Sequence, residues 1–91
     1  MTDTVRDNTA EHRFEMDVGG ELAVAYYRRT PGVLALTHTE VPASLRGQGV
    51  ASRLVRSVLE AARAEGVKVA PRCSFVSAYL ASHPEFKDLV Q

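Results

Sequence analysis

The sequence predicts an α+β fold, an α/β sandwich whose elements follow the order βββαβα. Period-two alternation of apolar and polar residues dominates residues 12–41, which indicates strands. From Val50 the apolar period changes to about four residues, which indicates a helix, and a short strand and a second helix follow. Short turns connect the first three strands, so we expect an antiparallel meander. The fourth strand follows a helix and should lie parallel to the third.

Turn residues bound the predicted strands. The first, HRFEMDV, alternates and ends at the Gly19-Gly20 pair, which is a strong signal for a two-residue hairpin. The second, ELAVAYYRRT, ends at Pro31-Gly32, a second turn. The third is VLALTHTEV, which is apolar at first and polar later. These three segments form the predicted meander.

The helices show a different period. Val50, Leu54 and Val58 fall four residues apart and form one apolar face of a helix that should end at Gly66. VKVA is then a short strand. A second helix is predicted over residues 74–82, because Pro84 disfavours helical conformation in the residue before it.

The N-terminal residues and the overall composition predict the domain boundaries and the cellular location of the protein. Residues 1–10 are polar and aperiodic, which predicts a frayed, disordered tail before a single domain over residues 11–91. No apolar run approaches the roughly 20 residues that span a bilayer, and the N-terminus lacks a signal-peptide core. We therefore expect a cytoplasmic protein with no membrane partner. The one cysteine, Cys73, excludes an internal disulfide and a cysteine-cluster metal site, so no metal is expected.

The charges are unevenly distributed although the net charge is zero. Seven acidic and four basic residues precede Arg46, whereas seven basic and four acidic residues lie from Arg46 onward. This asymmetry favours a local anionic ligand in the second half of the chain. A nucleic-acid surface would require a larger basic excess, so no nucleic-acid partner is expected.

The segment RGQGVA, residues 46–51, lies where the third strand gives way to the helix. A helix N-terminus exposes unpaired amide groups and carries a partial positive charge, which suits phosphate. Glycines allow a ligand to approach the backbone, and the Arg46 guanidinium and the Ser52 hydroxyl add donors. The same pattern is typical of a glycine-rich turn that binds nothing, so both interpretations stay open on these residues alone.

This segment resembles the acetyl-CoA-binding signature of the GNAT acetyltransferase superfamily, Arg/Gln-x-x-Gly-x-Gly/Ala, through Arg46, Gly49 and Ala51. With the downstream PRCSFVSAY and HPEF elements, residues 11–91 are similar to the minimal branch of that superfamily, the YjdJ-type or N-acetyltransferase-domain-containing proteins. The resemblance implies a minimal GNAT fold in which the third and fourth strands splay apart. The pantetheine arm of CoA would enter that gap as an added strand does.

The resemblance further implies acetyl-CoA as the cofactor and assigns its contacts. Val41 would contact the pantetheine arm through its backbone. The pyrophosphate would be held by the loop and the first residues of the helix, namely Arg46, Gly47, Gln48, Gly49, Val50 and Ala51, with Ser52 as a further donor. Most elements that shape the acceptor pocket of full-size GNAT enzymes are missing, so we expect an open acceptor site with weak specificity.

His38 is the first candidate catalytic residue. Strand alternation predicts that His38 shares a face with Leu34 and Leu36, where a histidine is more often a core or rim residue than a catalyst. It precedes Val41 by three residues, roughly 10 Å along a strand, which suits a group near the thioester. Glu40 would share this face and could orient the imidazole or remain a solvated acid.

Cys73 and Tyr79 are the other candidates. A lone cysteine is usually inert, but Cys73 precedes a predicted helix and adjoins Arg72, and both features would stabilise a thiolate. The resemblance implies that Cys73 and His38 form the active-site pair. Tyr79 has the i, i+4 spacing with Phe75 that is typical of core packing. By the resemblance, its hydroxyl would protonate the CoA sulfur.

Two mechanisms and a non-enzymatic alternative follow. In direct transfer of acetyl to an amine, on a small molecule or a protein, His38 acts as general base while Cys73 or Tyr79 protonates the departing thiolate. In a two-step route, Cys73 takes the acetyl group as a thioester with His38 as its base. The alternative class is a CoA-binding or protein-interaction module with little or no turnover, favoured by the small size and the missing acceptor elements.

Overall fold

The structure, a computed structural model, describes residues 4–91. Five strands form one sheet whose spatial order follows the chain: β1 Val5–Asn8, β2 Arg13–Val18, β3 Glu21–Thr30, β4 Val33–Glu40 and β5 Lys68–Pro71. The α-helices are α1 Val50–Glu65 and α2 Ser74–Ser82, and short 3-10 helices span Thr9–Glu11, Ala43–Leu45 and Pro84–Leu89. Neighbouring strands are antiparallel except β4 and β5, which are parallel. The predicted α+β class, the meander and the parallel last strand are confirmed.

The N-terminal segment differs from the sequence prediction. Residues 5–8 form β1 and pair with β2, so the predicted disordered tail is wrong for this part of residues 1–10, and the order is ββββαβα. Residues 1–3 lie outside the described part of the chain. Asp7 anchors β1, because it accepts hydrogen bonds from the Tyr27 hydroxyl at 2.5 Å and from the Arg29 guanidinium at 3.0 Å. Polar contacts hold β1 in the sheet, so its sequence lacks the apolar periodicity from which a strand could be predicted.

The helices and the C-terminal 3-10 helix pack on one face of the sheet. Leu54 of α1, Val76 of α2 and Phe86 are buried in the same cluster as Met16 and Leu36 of the sheet. We call the opposite surface of the sheet the helix-free face, with β3 side chains such as Tyr26 and Arg28 on it. No helix within residues 4–91 is both long enough and apolar enough to cross a bilayer.

A buried carboxylate lies on the helix-free face. Glu15 is only 2% exposed and accepts hydrogen bonds from Arg6 at 3.0 Å, from Asn8 at 3.0 Å and from Arg13 at 2.6 Å. The bonds from Asn8 and Arg13 lower the pKa of Glu15 below its ordinary value, although burial opposes ionisation. The charge is tolerated because donors from β1 and β2 surround it.

A β-bulge at Thr37 divides β4 into two halves. Tyr26 of β3 pairs with His38, but the next residue, Tyr27, pairs with Leu36, so Thr37 has no residue opposite it. Strand β5 pairs only with the four residues of β4 that precede the bulge. A bulge bends its strand and ends regular pairing, so β4 and β5 separate beyond this point. The predicted splay between these two strands is therefore present.

The bulge also reverses the faces of the following residues. The prediction that His38 shares a face with Leu34 and Leu36 is wrong, because it assumed unbroken alternation. With one extra residue in the strand, Thr39 takes the helix-covered side, and His38 lies beside Tyr26 on the helix-free face. The two rings are stacked, with centroids 6.1 Å apart and planes inclined by 21°.

Candidate active site

The loop between β4 and α1 presents unpaired amides at the start of a 16-residue helix. Gly47 and Gly49 have φ values of 79° and 72°, in the left-handed region that favours glycine. Gly49 is the N-cap of α1, and within residues 4–91 no side chain caps it and no acidic residue lies in the first turn. The first-turn amides thus remain free to donate to an exogenous anion.

A cavity of about 220 Å³ opens at these amides, and we call it the loop cavity. Its lining comprises Val41, Leu45, Arg46, Gly47, Gly49, Val50, Ala51, Ser52 and Phe75. Gln48 is the one predicted cofactor contact that does not line the loop cavity. The Gln48 side chain donates to the Ser44 backbone carbonyl at 3.0 Å, and the backbone carbonyl of Gln48 accepts from the Arg53 side chain at 2.8 Å. Gln48 therefore holds the shape of the loop.

A larger cleft of about 560 Å³, the strand cleft, adjoins the loop cavity. The two share Val41, Arg46, Ala51 and Phe75. The rest of the strand cleft comes from β3 and the end of β4, namely Leu22, Val24, His38, Thr39, Glu40 and Pro42. One predicted catalytic residue, His38, therefore lies in a cleft that borders the predicted cofactor contacts.

The imidazole of His38 is held by neighbours on the helix-free face. Its Nε2 lies 3.2 Å from Glu40 Oε2, and both side chains are 59% exposed. Tyr26, which stacks on the imidazole, accepts a hydrogen bond from Arg13 at 3.1 Å. With Nε2 donating to Glu40, the lone pair of Nδ1 is left to accept a proton. This arrangement suits a general base open to a ligand in the strand cleft.

Cys73 lies across the gap between β4 and β5. It is the N-cap of α2, and its Sγ is 3.6 Å from Oγ1 of Thr39. Partial burial opposes ionisation, but the amide of Val76 and the hydroxyl of Thr39 outweigh it and lower the pKa of Cys73. The structure thus pairs Cys73 with Thr39. His38 projects to the other side of β4, because consecutive strand residues alternate.

Replacing Thr39 with valine should slow alkylation of Cys73 at pH 7 roughly threefold, as for the loss of one weak hydrogen bond of about 0.7 kcal/mol. The hydroxyl that stabilises the thiolate is removed, so the pKa of Cys73 rises and less thiolate is present. Iodoacetamide kinetics followed by mass spectrometry measure this. Thr37→Val, a neighbouring change on the other side of β4, is the control. Equal rates for Thr39→Val and the wild type would show that Thr39 does not tune the thiol.

Tyr79 lines neither the loop cavity nor the strand cleft, and its predicted place beside the CoA sulfur stays a prediction. Its side chain is buried, and its ring stacks on His83 with centroids 3.8 Å apart. The nearby Tyr79 hydroxyl is the main cause that raises the pKa of Arg56 in α1 above its ordinary value. Tyr79 therefore packs the helices together, as its i, i+4 spacing alone suggested.

Phe75 lines the candidate site, whereas the sequence analysis assigned it to the core. It is 38% exposed and lines both the loop cavity and the strand cleft. Its spacing from Tyr79 suggested a shared buried face, but the Phe75 side chain is partly exposed whereas Tyr79 is buried.

The comparison with known proteins decides the family. Residues 13–89 match the sequence profile of a family described as GCN5-related N-acetyltransferase. The chain belongs to that family. The GNAT resemblance read from Arg46, Gly49 and Ala51 is thereby confirmed. Within residues 4–91 of this GNAT chain, no group of three or more His, Cys, Asp or Glu side chains could hold a metal ion.

A solved structure supports the same assignment. The chain is similar to a GCN5-like protein from Staphylococcus aureus, determined by NMR in solution, with 28% sequence identity and a TM-score of 0.74. The match covers 97% of this chain and 87% of the other. The minimal GNAT fold predicted from the sequence is therefore shared by a GCN5-like protein of nearly the same extent.

Proposed function

We propose that this GNAT domain binds acetyl-CoA and transfers its acetyl group to an amine. The observation that carries the proposal is the start of α1, where uncapped amides open onto the loop cavity. The Arg46 guanidinium lines the same cavity and has no ion-pair partner within residues 4–91. Uncapped amides, glycines in the left-handed region and an unpaired guanidinium together suit a pyrophosphate.

The gap beyond the bulge supports the placement of the pantetheine arm. Within the described residues, no strand pairs with residues 37–40 of β4 on the side of β5, so their backbone groups can bond to the amides of an extended arm. Val41 and Phe75 line both cavities and supply apolar contacts at the junction. An arm that starts at the loop cavity and follows this gap leads to Cys73.

In the mechanism we favour, transfer is direct and His38 is the base. The bound thioester supplies an activated acetyl group, and an amine in the strand cleft forms the new C–N bond. His38 Nδ1 accepts the proton that the amine loses, and the imidazolium is stabilised by Glu40. As the C–S bond breaks, the Cys73 thiol donates its proton to the departing CoA sulfur. The lowered pKa of the Cys73 thiol makes it a stronger acid than an ordinary cysteine, which favours this donation.

A two-step route through an acetyl-cysteine is the second candidate, because the lowered pKa of Cys73 also suits a nucleophile. It requires a base beside Cys73. The contact observed there is the Thr39 hydroxyl, whereas His38 contacts Tyr26 and Glu40. The direct route is therefore preferred. The rival from another class remains a CoA-binding module with little turnover.

Isothermal calorimetry with acetyl-CoA tests the proposed cofactor site. The wild type should bind in the micromolar range, and Gly47→Ala should weaken binding about tenfold, equivalent to about 1.4 kcal/mol. The reason is that alanine disfavours the left-handed conformation at φ 79° and places a methyl group beside the loop cavity.

Gly32→Ala is the matched control for this experiment. Gly32 also has a positive φ, 76°, and an added Cβ there meets nothing within 4 Å, as at Gly47. It lies in the turn between β3 and β4, away from the cavity, so its substitution brings similar strain without loss of affinity. No micromolar binding by the wild type, or equal losses in both variants, would contradict the proposed site.

A further inference from the structure

We propose that the acceptor amine carries an anionic group, a carboxylate or a phosphate, which binds between Arg28 and Arg72 on the helix-free face. This inference rests on the proposed acetyl transfer and specifies its substrate class. A cleft of about 670 Å³ lies on that face, and we call it the arginine cleft. Its walls include Arg28 and Arg72, and Ala35, Thr37 and Ala70 contribute to its lining.

The register of the sheet explains why the two guanidinium groups share one cleft. Arg28 of β3 pairs with Ala35 of β4, and Ala35 pairs with Ala70 of β5. Arg72 follows Ala70 by two residues, so the alternation of side chains keeps it on the same face. Two small residues thus separate two long cationic ones. This composition leaves space for a ligand between the guanidinium groups.

Among the described residues, no carboxylate forms an ion pair with either of these arginines, although Gln91 also lines the cleft. Neither Arg28 nor Arg72 has an ion-pair or hydrogen-bonding side-chain partner within residues 4–91. Carboxylates, by contrast, pair with Arg6, Arg13, Arg29, Arg56 and Arg63. Two like charges lining one cleft repel each other, so an anion between them would be stabilised by both. The Thr37 hydroxyl adds a neutral donor.

The arginine cleft lies further along the same face of the sheet than His38, the proposed base. Tyr26, the partner of His38, precedes Arg28 by two residues in β3, a spacing of about 7 Å along the strand. On the other side of His38 lies Glu40, whose carboxylate can accept a hydrogen bond from the amine. The face is therefore acidic at one end and basic at the other. A ligand with an amine and an anion joined by a short aliphatic chain fits this order, with the amine at His38.

The test compares 5-aminopentanoate with its neutral amide, 5-aminopentanamide, as acetyl acceptors for the full chain. The wild type should show a kcat/KM about tenfold or more higher for the acid, because the amide cannot bond to a guanidinium as an anion does. In the double variant Arg28→Gln/Arg72→Gln this preference should disappear. Lys87→Gln, which removes a cation that does not line the arginine cleft, should keep it. Turnover with equal kcat/KM for acid and amide in the wild type would overturn the inference.

A binding measurement separates this inference from the proposed transfer. In the wild type, titration with 5-aminopentanoate should give saturable shifts of the Arg28 and Arg72 Nε–Hε signals in ¹H–¹⁵N spectra, and the amide should not. If no acceptor is acetylated but these shifts occur, the anion site stands and the proposed transfer fails. If the shifts do not occur, the anion site is overturned. The titration is then repeated with 4-aminobutyl phosphate. The ligand that saturates the shifts at the lower concentration carries the preferred anion, a phosphate or a carboxylate.

Discussion

Replacing His38 with glutamine is expected to lower kcat for acetyl transfer by about 10²–10³-fold while acetyl-CoA affinity stays near the wild-type value. Glutamine retains a polar side chain that can contact Glu40, but it cannot take the proton that the attacking amine loses. The imidazole lies in the strand cleft and not among the residues that line the loop cavity, so cofactor binding should not change. Steady-state kinetics with calorimetry on the same protein check both parts.

The control for this prediction is a second histidine. His12 lines neither the strand cleft nor the loop cavity, and its left-handed conformation at φ 54° is one that asparagine tolerates, so His12→Asn should retain kcat. Intact mass after incubation with acetyl-CoA alone tests the rival route. The direct mechanism predicts no acetyl group on Cys73. A Cys73 adduct that forms in both the wild type and His38→Gln would exclude His38 as the essential base of the first step.

Glu15→Gln is expected to reduce the free energy of unfolding by about 2–3 kcal/mol at pH 7. The change removes the charge that Arg6, Asn8 and Arg13 surround and leaves the buried part of that cluster with unsatisfied donors. Urea denaturation followed by circular dichroism measures the difference. Glu11→Gln, an exposed carboxylate in the same N-terminal segment, should change stability by less than about 0.5 kcal/mol.

The pH dependence of this effect has a definite sign. Because the pKa of Glu15 is lower in the folded state than in the unfolded chain, its contribution is fully present above the unfolded value of about 4.3. This stabilisation is lost as the pH falls through the pKa of Glu15 in the folded state. The stability gap between the wild type and Glu15→Gln should therefore narrow in acid. A gap that stayed constant from pH 7 to pH 3 would contradict the assignment of a stabilising charge to Glu15.

Local sequence signals were sufficient for most of the fold. The start of β3, the end of α1 and the bounds of α2 follow from glycine and proline residues that act within one or two positions. Strand β1 was missed because Asp7 and Asn8 stabilise it through partners distant in sequence. The bulge at Thr37 was missed for a related reason, since an extra residue in one strand is defined only by its pairing with another.

The candidate site, like the fold, could be predicted from the sequence only in part. Most residues of the loop cavity are nearly contiguous, so the short signature and its flanks included them, apart from Leu45 and Phe75. Contacts between separate elements were not predictable, such as Cys73 with Thr39 and the shared cleft of Arg28 and Arg72. These depend on which residues share a face of the sheet. One unpredicted bulge was enough to place His38 on the opposite face from the one expected.

The extra residue at Thr37 also bears on the kinetic order of the proposed reaction. Because of this extra residue, the adjacent residues His38 and Thr39 lie on opposite faces of the sheet. Cys73 lies beside Thr39, and the open strand surface lies beside His38. Acetyl-CoA and the acceptor would then arrive from different directions, and neither would block the path of the other. A random-order ternary complex, in which each substrate binds and leaves independently, is the behaviour that this geometry favours.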